Sequence, residues 1–70
     1  MKIMTEDTYL ALAKCWLGAA QDEEQKARFR HGDAVVCAEH YRAAQAFRRD
    51  AARYAARAHA LRGGKVDVVA

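Results

Sequence analysis

A four-heptad pattern in the second half of the chain is the feature that most constrains its fold. Steps of three and four residues separate the members of one stripe, which we call the seam: Cys37, His40, Ala44, Phe47, Ala51, Tyr54, Ala58 and Leu61. This spacing places all of them along one face of an α-helix. One position of each heptad is small and the other is larger, so two helices can approach closely while the large side chains interdigitate. The seam therefore predicts a long helix that packs against another helix.

The first half of the chain supplies that other helix, because its apolar residues also recur at helical spacing. The centre of its apolar face consists of Tyr9, Ala13, Trp16, Ala20 and Ala27, flanked by Leu10, Leu12 and Leu17. We expect Tyr9 and Trp16 to pack in the seam, which closes the hairpin or joins two copies. Phe29 falls on the opposite side of this helix and is expected to be partly exposed.

Capping residues set the predicted helix boundaries. Thr5 and Asp33 offer N-cap side chains, while Gly32 and the pair Gly63-Gly64 offer left-handed closing positions. The turn between the helices is short, which makes them antiparallel neighbours. The tail alternates in the manner of a strand, but no pairing partner is obvious. The predicted organisation is a single helical-hairpin domain, 1–70, with helix 1 at about 5–31, helix 2 at about 33–62 and a frayed tail at 65–70.

The amount of apolar surface predicts a second copy. Of the 70 residues, 17 are alanine and only 18 are large and apolar, which is little core for a chain that folds alone. Two helices packed only on each other also leave half of each apolar face uncovered. We therefore predict an all-α antiparallel two-helix hairpin that dimerises into a four-helix bundle, the architecture of the RNA-binding hairpin Rop, with which the chain shares no sequence motif. The alternative is a monomer whose spare face is covered by a different protein.

No constellation of residues predicts catalysis, a cofactor or a metal site. Cys37 and His40 have ligand-compatible spacing, but they supply two ligands only, so packing in the seam is the preferred interpretation. Hairpin geometry separates Cys15 from Cys37 by roughly 15 Å or more along the helices, whereas a disulfide holds its Cα atoms within about 7 Å. The chain has no apolar run long enough for a membrane span and no signal-like leader, so no membrane partner and a cytoplasmic location are expected.

Charge and exposed aromatic residues predict a binding function. The net charge is +3, and helix 2 carries six arginines against three acids. Arginine suits recognition of carboxylate or phosphate groups. The candidate partner-binding residues are Phe29, Tyr41, Arg42, Arg49 and Arg53. The favoured hypothesis is a non-enzymatic regulator or inhibitor, of the kind that phages and mobile elements carry, which docks a helical surface on a larger protein. The first alternative is RNA or DNA binding by the arginine face of helix 2.

The turn suggests a second alternative. A basic residue, Gly32, Asp33 and Ala34 lie between the two helices, and Tyr41 follows soon after. This arrangement resembles the hairpin co-chaperones of type III secretion needle proteins, which implies a secretion-type co-chaperone. The resemblance covers a turn and a few flanking residues, so it assigns no role to any side chain.

Overall fold

The chain folds into two long helices that pack against each other, as the seam predicts. A computed structural model describes residues 1–30 and 32–69. The elements in chain order are strand β1 (Lys2–Met4), helix α1 (Glu6–Phe29), helix α2 (Ala34–Ala60) and strand β2 (Asp67–Val69). The described residues form a flat rod with extents of 48 × 21 × 13 Å. Its thickness is that of one layer of helices.

Both N-caps are confirmed. The Thr5 hydroxyl accepts a hydrogen bond from the backbone N–H of Thr8 at 3.3 Å, and the Asp33 carboxylate accepts one from the N–H of Val36 at 3.1 Å. These bonds satisfy backbone donors that the first turn of a helix leaves unpaired.

The observed end of helix 1 lies two residues before the predicted end at about residue 31. Helix α1 ends at Phe29, and the N–H of Arg30 bonds to two carbonyls of the last turn. Gly32 does not adopt the left-handed conformation predicted for it, because among the described residues only Gly63 and Gly64 have positive φ, +87° and +88°. These two glycines close α2 as expected. His31, included in the predicted helix, lies outside the described residues.

Within one chain the seam closes the hairpin. Two aromatic pairs link the helices: Tyr9 stacks on Tyr54 with ring centroids 6.2 Å apart, and Trp16 packs against Phe47 at 5.2 Å. Small side chains fill the contact around them. The buried residues are Leu61, directly after α2, and seven residues within the helices: Tyr9, Ala13, Ala20, Ala27, Ala44, Ala51 and Ala58. Trp16, Phe47 and Tyr54 are half-buried.

Residues Asp67–Val69 of the tail form a paired strand, whereas the prediction for 65–70 was a frayed end. Strand β2 pairs antiparallel with β1, with Lys2 opposite Val69 and Met4 opposite Asp67. We call this two-stranded structure the ribbon. It folds onto the open end of the hairpin, where Met4 is buried in one apolar cluster with residues of both helical segments. Pairing joins the two ends of the chain across more than 60 intervening residues, and no local pattern encodes such a contact.

The ribbon makes the two broad faces of the hairpin different. It lies over Leu12 and Tyr54, with which it lines a groove, and we call this the ribbon face. Leu10 and Leu17 lie one heptad apart on the other side of α1, and they are 42% and 40% exposed. That side, which we call the open face, also carries residues of α2 at the same spacing: Tyr41, Arg48 and Ala55.

Candidate interaction surfaces

An outward surface of α2, pointing away from α1, carries three of the predicted partner-binding residues. Helical spacing places Arg42, Arg49 and Arg53 together there, and all three are exposed. Alanines lie between them, and the resulting shallow depression is lined by Ala46, Arg49, Asp50, Ala52, Arg53 and Ala56. We call this region the arginine surface. Its small residues allow another backbone to approach closely while the guanidinium groups project on either side.

The arginines of α2 differ in their partners. Arg48 bonds to Glu24 of α1 and bridges the two helices, while Arg57 bonds to Asp67 of the tail. Arg42 and Arg49 make no ion pair with any residue that the structure describes. Their charges are therefore available to a partner.

Arg53 has a local partner. Its guanidinium donates to the Asp50 carboxylate at 3.0 Å, within one turn of the same helix. The arginine is 78% exposed in its side chain, and an exposed pair of this kind contributes little to stability. The pair orients Arg53 without removing it from the surface.

The other two predicted partner-binding residues lie elsewhere. Phe29 is 81% exposed at the end of α1, on the far side of the hairpin from the arginine surface. Tyr41 is 48% exposed and lies on the open face, about a quarter turn of helix from Arg42. The five predicted residues therefore belong to three regions and do not form one patch.

Cys37 and His40 both contact α1. The Cys37 thiol donates to the carbonyl oxygens of Ala27 at 3.1 Å and Arg30 at 2.8 Å. The Nδ1 atom of His40 lies 2.6 Å from a carboxylate oxygen of Glu23. Among the described residues, no group of three or more His, Cys, Asp or Glu side chains could hold a metal ion. Both cysteines are free thiols.

The contact between Glu23 and His40 joins the two helices near the turn. The hydrogen bond with His40 lowers the pKa of the Glu23 carboxyl from its ordinary value, and the neighbouring Lys26 ammonium acts in the same direction, against the opposing effect of burial. Lys26 lies 3.4 Å from the other oxygen of this carboxylate. Ionised Glu23 is thus the form that the hairpin stabilises.

A second polar cluster fixes the ribbon to the helices. The Tyr9 hydroxyl donates to the Asp67 carboxylate at 3.0 Å, and the Arg57 guanidinium donates to both oxygens of the same carboxylate. Arg57 is the main cause of the lowered pKa of Asp67, while burial and the adjacent carboxylate raise the pKa of Tyr9. Sequence reasoning missed this cluster, although an acid within the alternating tail was its visible sign.

No protein family, curated protein or solved structure matches this chain in the comparisons made with each. Within the described residues, no helix is both long enough and apolar enough to cross a membrane.

Proposed function

We propose that this protein is a small non-enzymatic regulator that binds a larger protein, with the arginine surface of α2 as its docking site. The observation that supports this proposal is the pair Arg42 and Arg49, exposed on one helix face and without an ion-pair partner among the described residues. The matching surface on the partner is an acidic helix or ridge that fits between the two guanidinium groups.

The chemistry of arginine favours a carboxylate-bearing partner. A planar guanidinium donates two parallel hydrogen bonds to one carboxylate, which gives both direction and strength. Ala46 lies about one helical turn from both Arg42 and Arg49 and lines the depression, and its small side chain lets an approaching helix come close. Arginine is enriched among residues that dominate binding energy at interfaces. Aromatic side chains, on which unpaired bases stack in many nucleic-acid sites, do not line this depression.

Charge reversal tests the docking site. The tagged chain is used to retain proteins from a nuclease-treated extract of its native host, and each retained protein is then purified and titrated. We expect Arg42→Glu with Arg49→Glu to weaken the specific interaction at least about tenfold, because each lost charge-assisted bond is replaced by repulsion. The matched control is Lys14→Glu with Lys65→Glu, which changes the net charge equally at exposed positions outside the arginine surface.

The proposal fails if the double arginine variant binds the same protein as tightly as the parent does. Loss of all binding after nuclease treatment, together with a gel shift that weakens steeply with salt, assigns the arginine surface to RNA or DNA. A chain that stays unfolded until it is expressed with a secretion partner supports the co-chaperone alternative.

The proposed regulator is a homodimer in which two hairpins pack through their open faces into a four-helix bundle. The hairpin is one helix layer thick, 13 Å along its shortest axis, whereas stable domains enclose a core between at least two layers. None of its large side chains, among the described residues, is fully buried. Leu10 and Leu17 are the exposed apolar pair on the face that the ribbon leaves free, which favours this face for the second copy.

A further inference from the structure

The tail occupies the hairpin in the way that a bound peptide does. Strand β2 is an extended segment of three residues that pairs with β1. The segment 61–66, which includes Gly63 and Gly64, separates it from α2. Its contacts are those of a peptide that adds a strand to an exposed edge. The chemical features that the site recognises can therefore be identified from the side chains of the tail.

Two positions of the tail make specific contacts. Asp67 bonds to the Tyr9 hydroxyl at 3.0 Å and to the Arg57 guanidinium. Val69, two positions later, points to the same side of the strand and lines an open groove of about 350 Å³ beside Lys2, Met4, Tyr9, Leu12 and Tyr54. Val68, between them, is 61% exposed and makes no part of this groove.

We infer that β1, Arg57 and this groove form a docking site for an extended segment of a partner protein, in which an acidic residue precedes an apolar residue by two positions. The tail of the chain occupies the site as an intramolecular competitor. This site is separate from the arginine surface, so the inference does not depend on the proposed function.

Several features make the tail displaceable. A two-stranded ribbon is marginally stable in water, and β2 pairs over only three residues. Among the described residues, its side-chain polar attachment to the helices depends on a single carboxylate, Asp67. The outward side of the ribbon is apolar and exposed, at 61% for both Ile3 and Val68, so the solvent side contributes no further polar contact. The tethered tail competes at an effective concentration of about millimolar order. A longer partner segment makes more contacts than the tail and can displace it by binding more tightly.

The test releases the tail and supplies its sequence in trans. In the Asp67→Lys chain, Arg57 repels the tail while the docking site keeps all its own residues. The probe is a fluorescently labelled peptide with the sequence of residues 63–70. We expect this peptide to bind the variant at least about tenfold more tightly than it binds the parent. Replacing the Asp of the peptide by Asn should lower its affinity for the variant about tenfold, because one charge-assisted contact is removed.

Controls separate the site from general charge effects. Asp22→Lys makes the same charge change at an exposed position of α1 and should bind the peptide no better than the parent. Adding Arg57→Ala to Asp67→Lys should abolish the gain. If Asp67→Lys does not fold, as judged by circular dichroism, Asp67→Asn replaces it. The peptide should again bind this variant more tightly than the parent, with a smaller difference in affinity.

Two results would overturn the inference. The first is a folded, tail-released variant that does not bind the peptide at about millimolar concentration, the scale at which the tethered tail competes. The second is exchange of tails between copies, detected in a chain that carries Lys2→Cys and Val69→Cys after replacement of both native cysteines by Ser. A predominant crosslink between chains would identify a second copy, and not another protein, as the occupant of the site.

Discussion

The arginines of α2 differ in whether another element of the fold brings an acid within reach. Arg48 and Arg57 reach acids on other elements and hold the hairpin and the ribbon together. Arg42 and Arg49, on the same helix, point away from α1 and reach no acid among the described residues. The first pair supports structure, whereas the second is exposed without an ion pair and is the pair to which we assign the proposed partner.

The Glu23 carboxylate should make stability depend on pH. Because its pKa is lower in the folded protein than the ordinary value of 4.5, its contribution is fully present above that value and is lost as the pH falls through the lowered pKa. We expect Glu23→Gln to lower the melting temperature at pH 7, and the difference from the parent to shrink as the pH drops below about 4.5. Thermal melts across this range provide the measurement.

Glu39 supplies the matched control for this prediction. It is exposed on α2 and makes no ion pair with any described residue. Glu39→Gln should therefore follow the stability of the parent at every pH. A Glu23→Gln difference that stays constant down to pH 2 would show that the contact with His40 does not stabilise the ionised carboxylate.

Truncation of a seam aromatic should cost stability in proportion to its burial. Phe47 is half-buried against Trp16, so we expect Phe47→Ala to lower the free energy of unfolding by about 2–3 kcal/mol, less than for a fully enclosed ring. Phe29→Ala removes the same kind of ring from a site that is 81% exposed. This change should alter the free energy of unfolding by less than about 0.5 kcal/mol. Urea titration of both variants measures the difference. Equal losses would mean that the seam ring is not a packing residue.

At the scale of the elements, the small seam positions set the distance between the helices. Ala51 is 3% exposed, and a larger side chain there has no space without separating α1 from α2. We expect Ala51→Leu to cost about 1–3 kcal/mol of stability. Ala52→Leu places the same side chain at the next, exposed position and should be nearly neutral. Chemical denaturation decides this, and an Ala51→Leu chain as stable as the parent would refute close packing of the seam.

The helices were predictable from sequence because their signals are local. The heptads of the seam, the caps Thr5 and Asp33 and the closing pair Gly63-Gly64 each act within a few residues of themselves. The ribbon was not predictable by these means. Its two strands are three residues each, and each is stabilised only by contact with the distant strand and with the helices.

The candidate sites show the same division. Helical periodicity correctly groups Arg42, Arg49 and Arg53, because residues of one helix keep fixed angular positions. It gives no information about which acids other elements bring to each arginine. Glu24 lies 24 residues before Arg48, and Asp67 lies 58 residues after Tyr9. The contacts of the tail with Tyr9 and Arg57 were missed for this reason.

At the scale of the whole molecule, one copy exposes more surface than a compact monomer of the same mass. The described residues have an accessible surface of 5230 Å², whereas a compact monomer of this mass, 7.8 kDa, exposes roughly 4,400 Å². The excess reflects the single layer of helices. A second hairpin on the open face would supply the missing layer, and the ribbon obstructs the corresponding approach on the opposite face.

Sedimentation equilibrium tests this proposal directly. We expect the parent chain to have twice the mass of one 7.8 kDa copy at about 100 μM, and Leu10→Glu with Leu17→Glu to have the mass of one copy, because charges at the centre of an interface core are strongly disfavoured. Phe29→Glu adds a charge at an even more exposed apolar position of the same helix and should leave the dimer intact. A monomeric parent, or a dimer that survives both leucine changes, would exclude the open face as the dimer interface. If the parent is a monomer, the apolar surface of Leu10 and Leu17 is left to a different protein, and the proposed regulator binds as a single hairpin.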